Sequence, residues 1–172
     1  MKNNSISIAT STDVPQLVNL VNSAYRGERS RKGWTSEADL LDGIRTDIEA
    51  MEEMLQLKNA VILKYVDESQ KIAGCVYLQK EREKLYLGML TVNPTIQGKG
   101  IGKKLLQSSE NYAKENDCSS IIMTVISVRE ELIRWYESKG YYNTGEKKPF
   151  PDDPRFGIPK QPLQFIVMKK DL

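Results

Sequence analysis

Histidine is absent from the 172 residues. Its absence excludes Ser-His-Asp and Cys-His catalysis, histidine-ligated zinc and a histidine acid or base. Proton chemistry falls to carboxylates, Tyr, Lys, Cys, a bound water or a cofactor. Cysteine is scarce: Cys75 and Cys118 cannot build a four-cysteine metal site. Both sit inside apolar runs, which reads as buried reduced thiols, and no metal is expected. No run approaches the ~18 apolar residues of a membrane span. The segment Met1-Lys-Asn-Asn-Ser5 lacks the apolar core of a signal peptide, so a cytoplasmic location is expected. A charge excess is missing too. The 25 basic and 23 acidic residues leave a net +2, short of the basic stripe of a nucleic-acid binder. Internal repeats, low-complexity tracts and interdomain linkers are not found.

What is present is an ordinary globular balance, 40% apolar and 28% charged. It predicts a single domain over 1–172. Ser5 to Ala9 alternates as a short strand. Thr12 and Asp13 start a helix with Leu17, Leu20, Val21, Ala24 and Tyr25 on one stripe, ending at Gly27. Ser36 and Asp39 resemble a capping box, and predict a second helix carrying Leu40, Leu41, Ile44, Ile48, Met51 and Leu55, at the cost of an internal Gly43. Ala60–Val66, Lys71–Leu78 and Leu85–Val92 read as three strands of an antiparallel meander. A helix follows from Gly100 to Asn116, then a buried strand, Ser119–Ile126. A short helix spans Glu130–Lys139, and strands at Tyr141–Thr144 and Leu163–Met168 close the set. The Leu85–Val92 strand, the helix and the Ser119–Ile126 strand form a βαβ unit, which should be parallel. The fold class is α/β, with a mixed, mostly antiparallel central sheet flanked by about four helices. The proline-rich stretch from Pro149 to Pro162 reads as a long ordered loop.

The sharpest feature joins the meander to its helix: Gln97-Gly98-Lys99-Gly100-Ile101-Gly102-Lys103-Lys104. Three glycines at alternate positions let a ligand approach the backbone closely. Their N–H groups and those of the helix N-terminus form a cradle for an anion, with lysines nearby. A phosphate or pyrophosphate fits that chemistry. A Walker A loop needs four residues between its first glycine and Gly-Lys-Ser/Thr, which are not there. A Rossmann loop needs G-x-G-x-x-G, and here the loop follows an antiparallel meander.

Gln97-x-x-Gly100-x-Gly102 resembles the Q/R-x-x-G-x-G/A signature of the GNAT superfamily, the GCN5-related N-acetyltransferases. Arg134-Trp-Tyr136-Glu-Ser-Lys-Gly140-Tyr141 resembles that family's Tyr-x-x-x-Gly-Phe/Tyr segment. The order of elements matches over nearly the whole chain. The Gly33-Trp34-Thr35 and Phe150-Pro151 pieces resemble a bacterial subgroup of undefined substrate.

The resemblance implies an acetyl-CoA-dependent N-acetyltransferase. Carried onto this chain, Gln97, Gly98, Lys99, Gly100, Ile101, Gly102 and Lys103 hold the pyrophosphate of acetyl-CoA. Leu90, Thr91 and Val92 pair with the pantetheine amides as an added strand would. The strand at Ile121–Ile126 diverges from them to open a slot, and Gly88 marks a bulge that starts the divergence. A backbone N–H of Met89 or Leu90 faces the thioester carbonyl. Tyr136 is the general acid for the departing thiolate, although its place beside Leu132 and Ile133 also suits the core. Arg129 stands where the family often has a cofactor-contacting Asn. The base is left open: Glu81 and Glu83 read as a solvated turn, Glu37 and Asp39 as helix caps, and a water relay needs neither.

The family's acceptor lies between two loops, here Tyr25–Asp39 and Lys147–Gln161. Arg26, Arg29, Arg31, Lys32 and Trp34 on the first suit a carboxylate or phosphate clamp, or a solvated face. Asp152 and Asp153 on the second suit a cationic amine, or turn initiation. A small-molecule amine is favoured as acceptor, with neither nucleic acid nor membrane as partner and a homodimer compatible with the family. A protein amine, a non-catalytic CoA-binding module and a nucleotide-phosphate binder are the competing readings.

Overall fold

The computed structural model describes residues 6–26, 30, 31, 33, 36–96 and 98–172, with the side chain of 156 left out. Strand β1 (Ile6–Ile8) leads through a 3-10 turn (Ser11–Asp13) into helix α1 (Val14–Tyr25). The Asp13 carboxylate accepts the Thr10 N–H at 2.8 Å and pairs with Lys64 at 2.9 Å, which fixes the helix start at the expected place. Then come β2 (Leu41–Asp42), α2 (Ile48–Gln56), the meander β3 (Ala60–Val66), β4 (Ile72–Glu81) and β5 (Lys84–Val92), and α3 (Ile101–Glu115). The chain closes with β6 (Ser120–Ile126), α4 (Glu130–Ser138), β7 (Tyr142–Pro149), a second 3-10 turn (Pro154–Phe156), β8 (Ile158–Pro159) and β9 (Gln164–Asp171).

A seven-stranded sheet in the order β1-β3-β4-β5-β6-β9-β7 forms the frame. Only β5 and β6 run parallel; the other adjacent pairs are antiparallel. Alternation along the strands sorts the core into two layers. Ile62, Cys75 and Tyr77 pack with Leu17, Val21 and Met51 under α1 and α2. Their neighbours Leu63, Val76 and Leu78 pack with Leu105, Leu106 and Leu132 under α3 and α4. Gly74 brings α3 onto the sheet: a Cβ there would stand 3.0 Å from Ile101 Cγ2, Leu105 Cδ1 and the Thr91 carbonyl oxygen.

Two expectations need correction. The second helix does not start at Ser36. It begins at Ile48, capped by Asp47, whose carboxylate accepts the Ala50 N–H at 2.8 Å. Ser36 and Asp39 start no helix: Ser36 Oγ accepts the Ala38 N–H at 3.2 Å in a turn and bonds Ser30 Oγ at 2.7 Å, and Asp39 pairs with Arg31. Gly43, with φ +92°, already breaks the helical path, and β2 pairs with β8 instead. The bulge is the second correction. Cys75 faces Thr91 and Tyr77 faces Gly88, so Met89 and Leu90 together stand against Val76. The irregularity sits at Met89, φ +55°, one residue after Gly88. The last hairpin is also longer than expected, because β7 continues from Tyr142 to Pro149.

Candidate active site

Strands β5 and β6 are hydrogen-bond partners only over Lys84–Tyr86 and Ser120–Ile122. Beyond that, β5 stays with β4 through Val92 and β6 stays with β9 through Ile126. The sheet therefore splits. A cavity of about 470 Å³ fills the split, with Leu87–Leu90 on one side and Met123–Ile126 on the other. Tyr25 reaches it from the α1 layer and Tyr136 from the α4 layer, so the split joins the two faces of the sheet.

The bulge lies on the wall of the split. Met89 in the left-handed region costs about 1 kcal/mol, and nearby side chains hold it there. Thr91 Oγ1 donates to the Met89 carbonyl at 2.9 Å. The Tyr25 hydroxyl donates to the Leu90 carbonyl, tying α1 to the same point. Burial, above all, pushes the Tyr25 phenol up to about 12, so it remains a donor.

Tyr136 is 5% exposed and stands edge-on to Trp135 and Tyr141, with ring centroids 5.1 and 5.8 Å away. Desolvation raises its pKa strongly, the Tyr25 phenol adds to the rise, and the Arg129 guanidinium opposes it. Arg129 also lines the cavity. It shares the Glu37 carboxylate with Arg26, at 3.7 and 3.2 Å, and all three side chains are under 10% exposed. Glu37 thus belongs to a buried cluster, its carboxylate shared between two guanidinium groups. Glu81 and Glu83 are exposed in the β4–β5 turn, away from the cavity.

From Leu90, β5 continues through the buried Thr91 and Val92 toward the glycine loop. Gly98 and Gly100 have φ of +89° and +75°, and a Cβ at either would meet nothing within 4 Å. The open space suits a phosphate, and the N-terminus of α3 begins at Ile101 beside it. Lys99 and Lys103 are exposed there, while Lys104 lies 5.8 Å over the Tyr65 ring. Gln97, Arg29, Lys32 and Trp34, predicted for this site and its acceptor loop, lie outside the described residues.

A roof covers the other end. β2 pairs with β8, Arg155 bridges Asp47 and Glu49 at 3.2 and 3.3 Å, and Lys160 Nζ donates to the Ala38 carbonyl at 2.9 Å. Arg26, expected in the acceptor loop, lines the cavity, as does Asp153. Arg45 lines it too, and no local pattern marks it, because Leu40, Leu41, Ile44 and Ile48 around it carry helical spacing. Tyr25, expected on the core stripe of α1 and at the start of the acceptor loop, lines the cavity as well.

Comparison with known proteins gives the class. A family model described as an acetyltransferase (GNAT) domain matches residues 36–152. The chain belongs to the GNAT family, and is an acetyl-CoA-dependent N-acetyltransferase. Solved structures share the fold at low identity. The ribosomal-protein-S18-alanine N-acetyltransferase from Escherichia coli is 15% identical, with a TM-score of 0.73 over 97% of this chain and 92% of that one. The ribosomal-protein-alanine N-acetyltransferase from Brucella melitensis is 21% identical, with a TM-score of 0.72 over 98% and 99%. The protein yncA from Salmonella typhimurium, solved with its cofactor acetyl-CoA, is 20% identical, with a TM-score of 0.71 over 99% and 95%. No curated protein matches the chain. No helix among the described residues is long and apolar enough to cross a membrane.

Proposed function

We propose that the chain transfers the acetyl group of acetyl-CoA to a primary amine of a small molecule, by direct attack of the amine on the thioester. The observation that carries this reading is the split between β5 and β6, with a bulge and Tyr136 at its centre and an open glycine cradle at one end. The roof over the other end favours an acceptor small enough to be enclosed. The names of the Escherichia coli and Brucella melitensis neighbours favour a protein amine as the second reading.

Acetyl-CoA supplies the activated acyl group. The backbone N–H groups from Gln97 to Lys103 hold its pyrophosphate, with Lys99 and Lys103 adding charge. Leu90, Thr91 and Val92 offer the strand edge along which the pantetheine arm lies, and Arg129 contacts its thioester end. An N–H of Met89 or Leu90 stabilises the oxygen that becomes negative as the C–N bond forms. Tyr136 donates its proton to the sulfur as the C–S bond breaks, and Arg129 eases that loss. The surplus proton on nitrogen leaves to solvent, and solvent returns a proton to the Tyr136 oxygen before the next turnover. Burial keeps the Tyr136 phenol protonated at neutral pH, so the donor is always loaded.

Calorimetry of acetyl-CoA with wild type, Gly100→Ala and Gly100→Glu tests the cradle. Alanine adds only backbone strain of about 1 kcal/mol at this φ. The expected result is micromolar binding by wild type, retained within about tenfold by alanine and lost in a folded glutamate variant, whose carboxylate fills the phosphate position. Equal binding by all three proteins would move the cofactor elsewhere. A subsequent screen of small amines against protein N-termini, read by CoA release, separates the two acceptor readings.

A further inference from the structure

The cavity carries more positive charge than its own carboxylates neutralise. Arg26 and Arg129 both pair with Glu37. Asp153 also lines the cavity, but its carboxylate accepts the Arg155 N–H at 3.0 Å as the cap of an exposed turn. That leaves Arg45. Its guanidinium carbon lies 5.5 Å from the centroid of the Tyr25 ring. No carboxylate among the described residues pairs with it. The segment is held firmly: Asn22 Oδ1 accepts the Arg45 and Thr46 N–H groups at 2.8 and 3.0 Å, and Asn22 Nδ2 donates to the Thr46 carbonyl at 2.9 Å. Arg45 is thus a half-buried guanidinium placed by design against the cavity, with hydrogen-bonding capacity to spare.

We infer that Arg45 binds an anionic oxygen group, a carboxylate or a phosphonate, on the acceptor amine. A planar guanidinium engages such a group with two parallel, charge-assisted hydrogen bonds, and partial burial strengthens them. The position also sets the acceptor's size. The Tyr25 hydroxyl bonds the Leu90 carbonyl at the bulge, so Arg45 stands one tyrosine ring from the point where the thioester lies in the proposed reaction. An anion there and an amine at the thioester are only a few bonds apart. The acceptor class is therefore an amino acid or an aminoalkylphosphonate. This assignment rests on the acetyl-transfer reading above.

The test measures CoA release with α-amino acids, their carboxamides and aminoalkylphosphonates, for wild type, Arg45→Lys and Arg45→Met. Methionine keeps the contact with the Tyr25 ring and removes the charge. Wild type should prefer an anionic acceptor over its carboxamide by at least about 10-fold in kcat/KM, the effect of hydrogen bonds to a charged group. Arg45→Met should erase that preference while leaving carboxamide turnover within about threefold, and Arg45→Lys should fall between. Preference for phosphonates over carboxylates keeps the proposal and names the group. Equal use of the carboxamides by wild type overturns it. So does an equal loss on both acceptor types in Arg45→Met, which would reduce Arg45 to a prop for Tyr25. Calorimetry of the CoA-loaded protein with N-acetylamino acids and their carboxamides repeats the comparison without turnover, and equal affinity there also overturns it. Absence of acetyl-CoA binding would instead defeat the underlying transferase reading.

Discussion

A phenol inside a packed core is a poor place to spend a tyrosine unless the hydroxyl does something. Tyr136 sits among Leu132, Trp135 and Tyr141, yet it faces the cavity between the splayed strands. Tyr136→Phe keeps the ring packing and removes the proton donor. It should lower kcat by about 10²-fold while leaving the KM for acetyl-CoA and the melting temperature nearly unchanged. Steady-state kinetics with a fixed amine and a thermal melt check this, and an unchanged kcat would leave Tyr136 as core alone. Glu37 illustrates a residue whose role was hidden in the sequence. Read linearly it belongs to a helix cap. In space it anchors Arg26 and Arg129, which come from 11 residues before it and from the start of α4. No spacing rule links such positions.

Among elements, local signals succeeded where the chain obeys its own periodicity. The meander, the βαβ unit and helices α1, α3 and α4 stand where alternation and i, i+4 stripes put them. The stretch from Ser36 to Asp47 failed because Leu40, Leu41 and Ile44 mimic a helical stripe. Leu41 instead lies in a two-residue strand paired with β8, a partner over 100 residues away, and Gly43 turns the chain directly after it. Asp47 was a legible cap that the longer stripe concealed. Its carboxylate has two roles, capping Ala50 and meeting the exposed Arg155. Asp47→Ala should cost about 1 kcal/mol, whereas Asp47→Asn, which keeps a capping oxygen, should cost much less. Urea unfolding of both variants measures the difference. Equal losses would mean that the ion pair, and not the cap, holds this end of α2.

For the molecule as a whole, the buried acids set the alkaline limit. Burial raises the Cys75 thiol from 9.0 to about 12 and the Tyr25 phenol from 10.0 to about 12. Tyr136 and Tyr141 are raised by burial as well. In the unfolded chain these groups ionise first, so the unfolded state releases protons that the folded state retains. Stability is therefore intact below about pH 9 and falls as pH climbs toward 12, by up to about 1.4 kcal/mol per pH unit for each group. Melting temperatures followed by circular dichroism should start to drop near pH 9. Burial raises the Cys118 thiol as well, so in Cys75→Ala the decline should still start near pH 9 but run shallower until the tyrosines join about one unit higher, and an unchanged slope would exclude the Cys75 thiol as a contributor.

The sequence by itself determined what depends on near neighbours along the chain. Absent histidine removed whole classes of chemistry, period-two runs and apolar stripes set the order of elements, and the alternating glycines set a backbone cradle at the start of α3. The tertiary structure alone decided where β5 and β6 part, after Tyr86 and Ile122, and where the bulge at Met89 falls, because both are matters of pairing between strands. It alone brought Arg26, Glu37, Arg45, Arg129 and Tyr136 to one cavity. Their meeting depends on helix-to-sheet packing and on loop pairing across the fold, and neither leaves a period in the sequence.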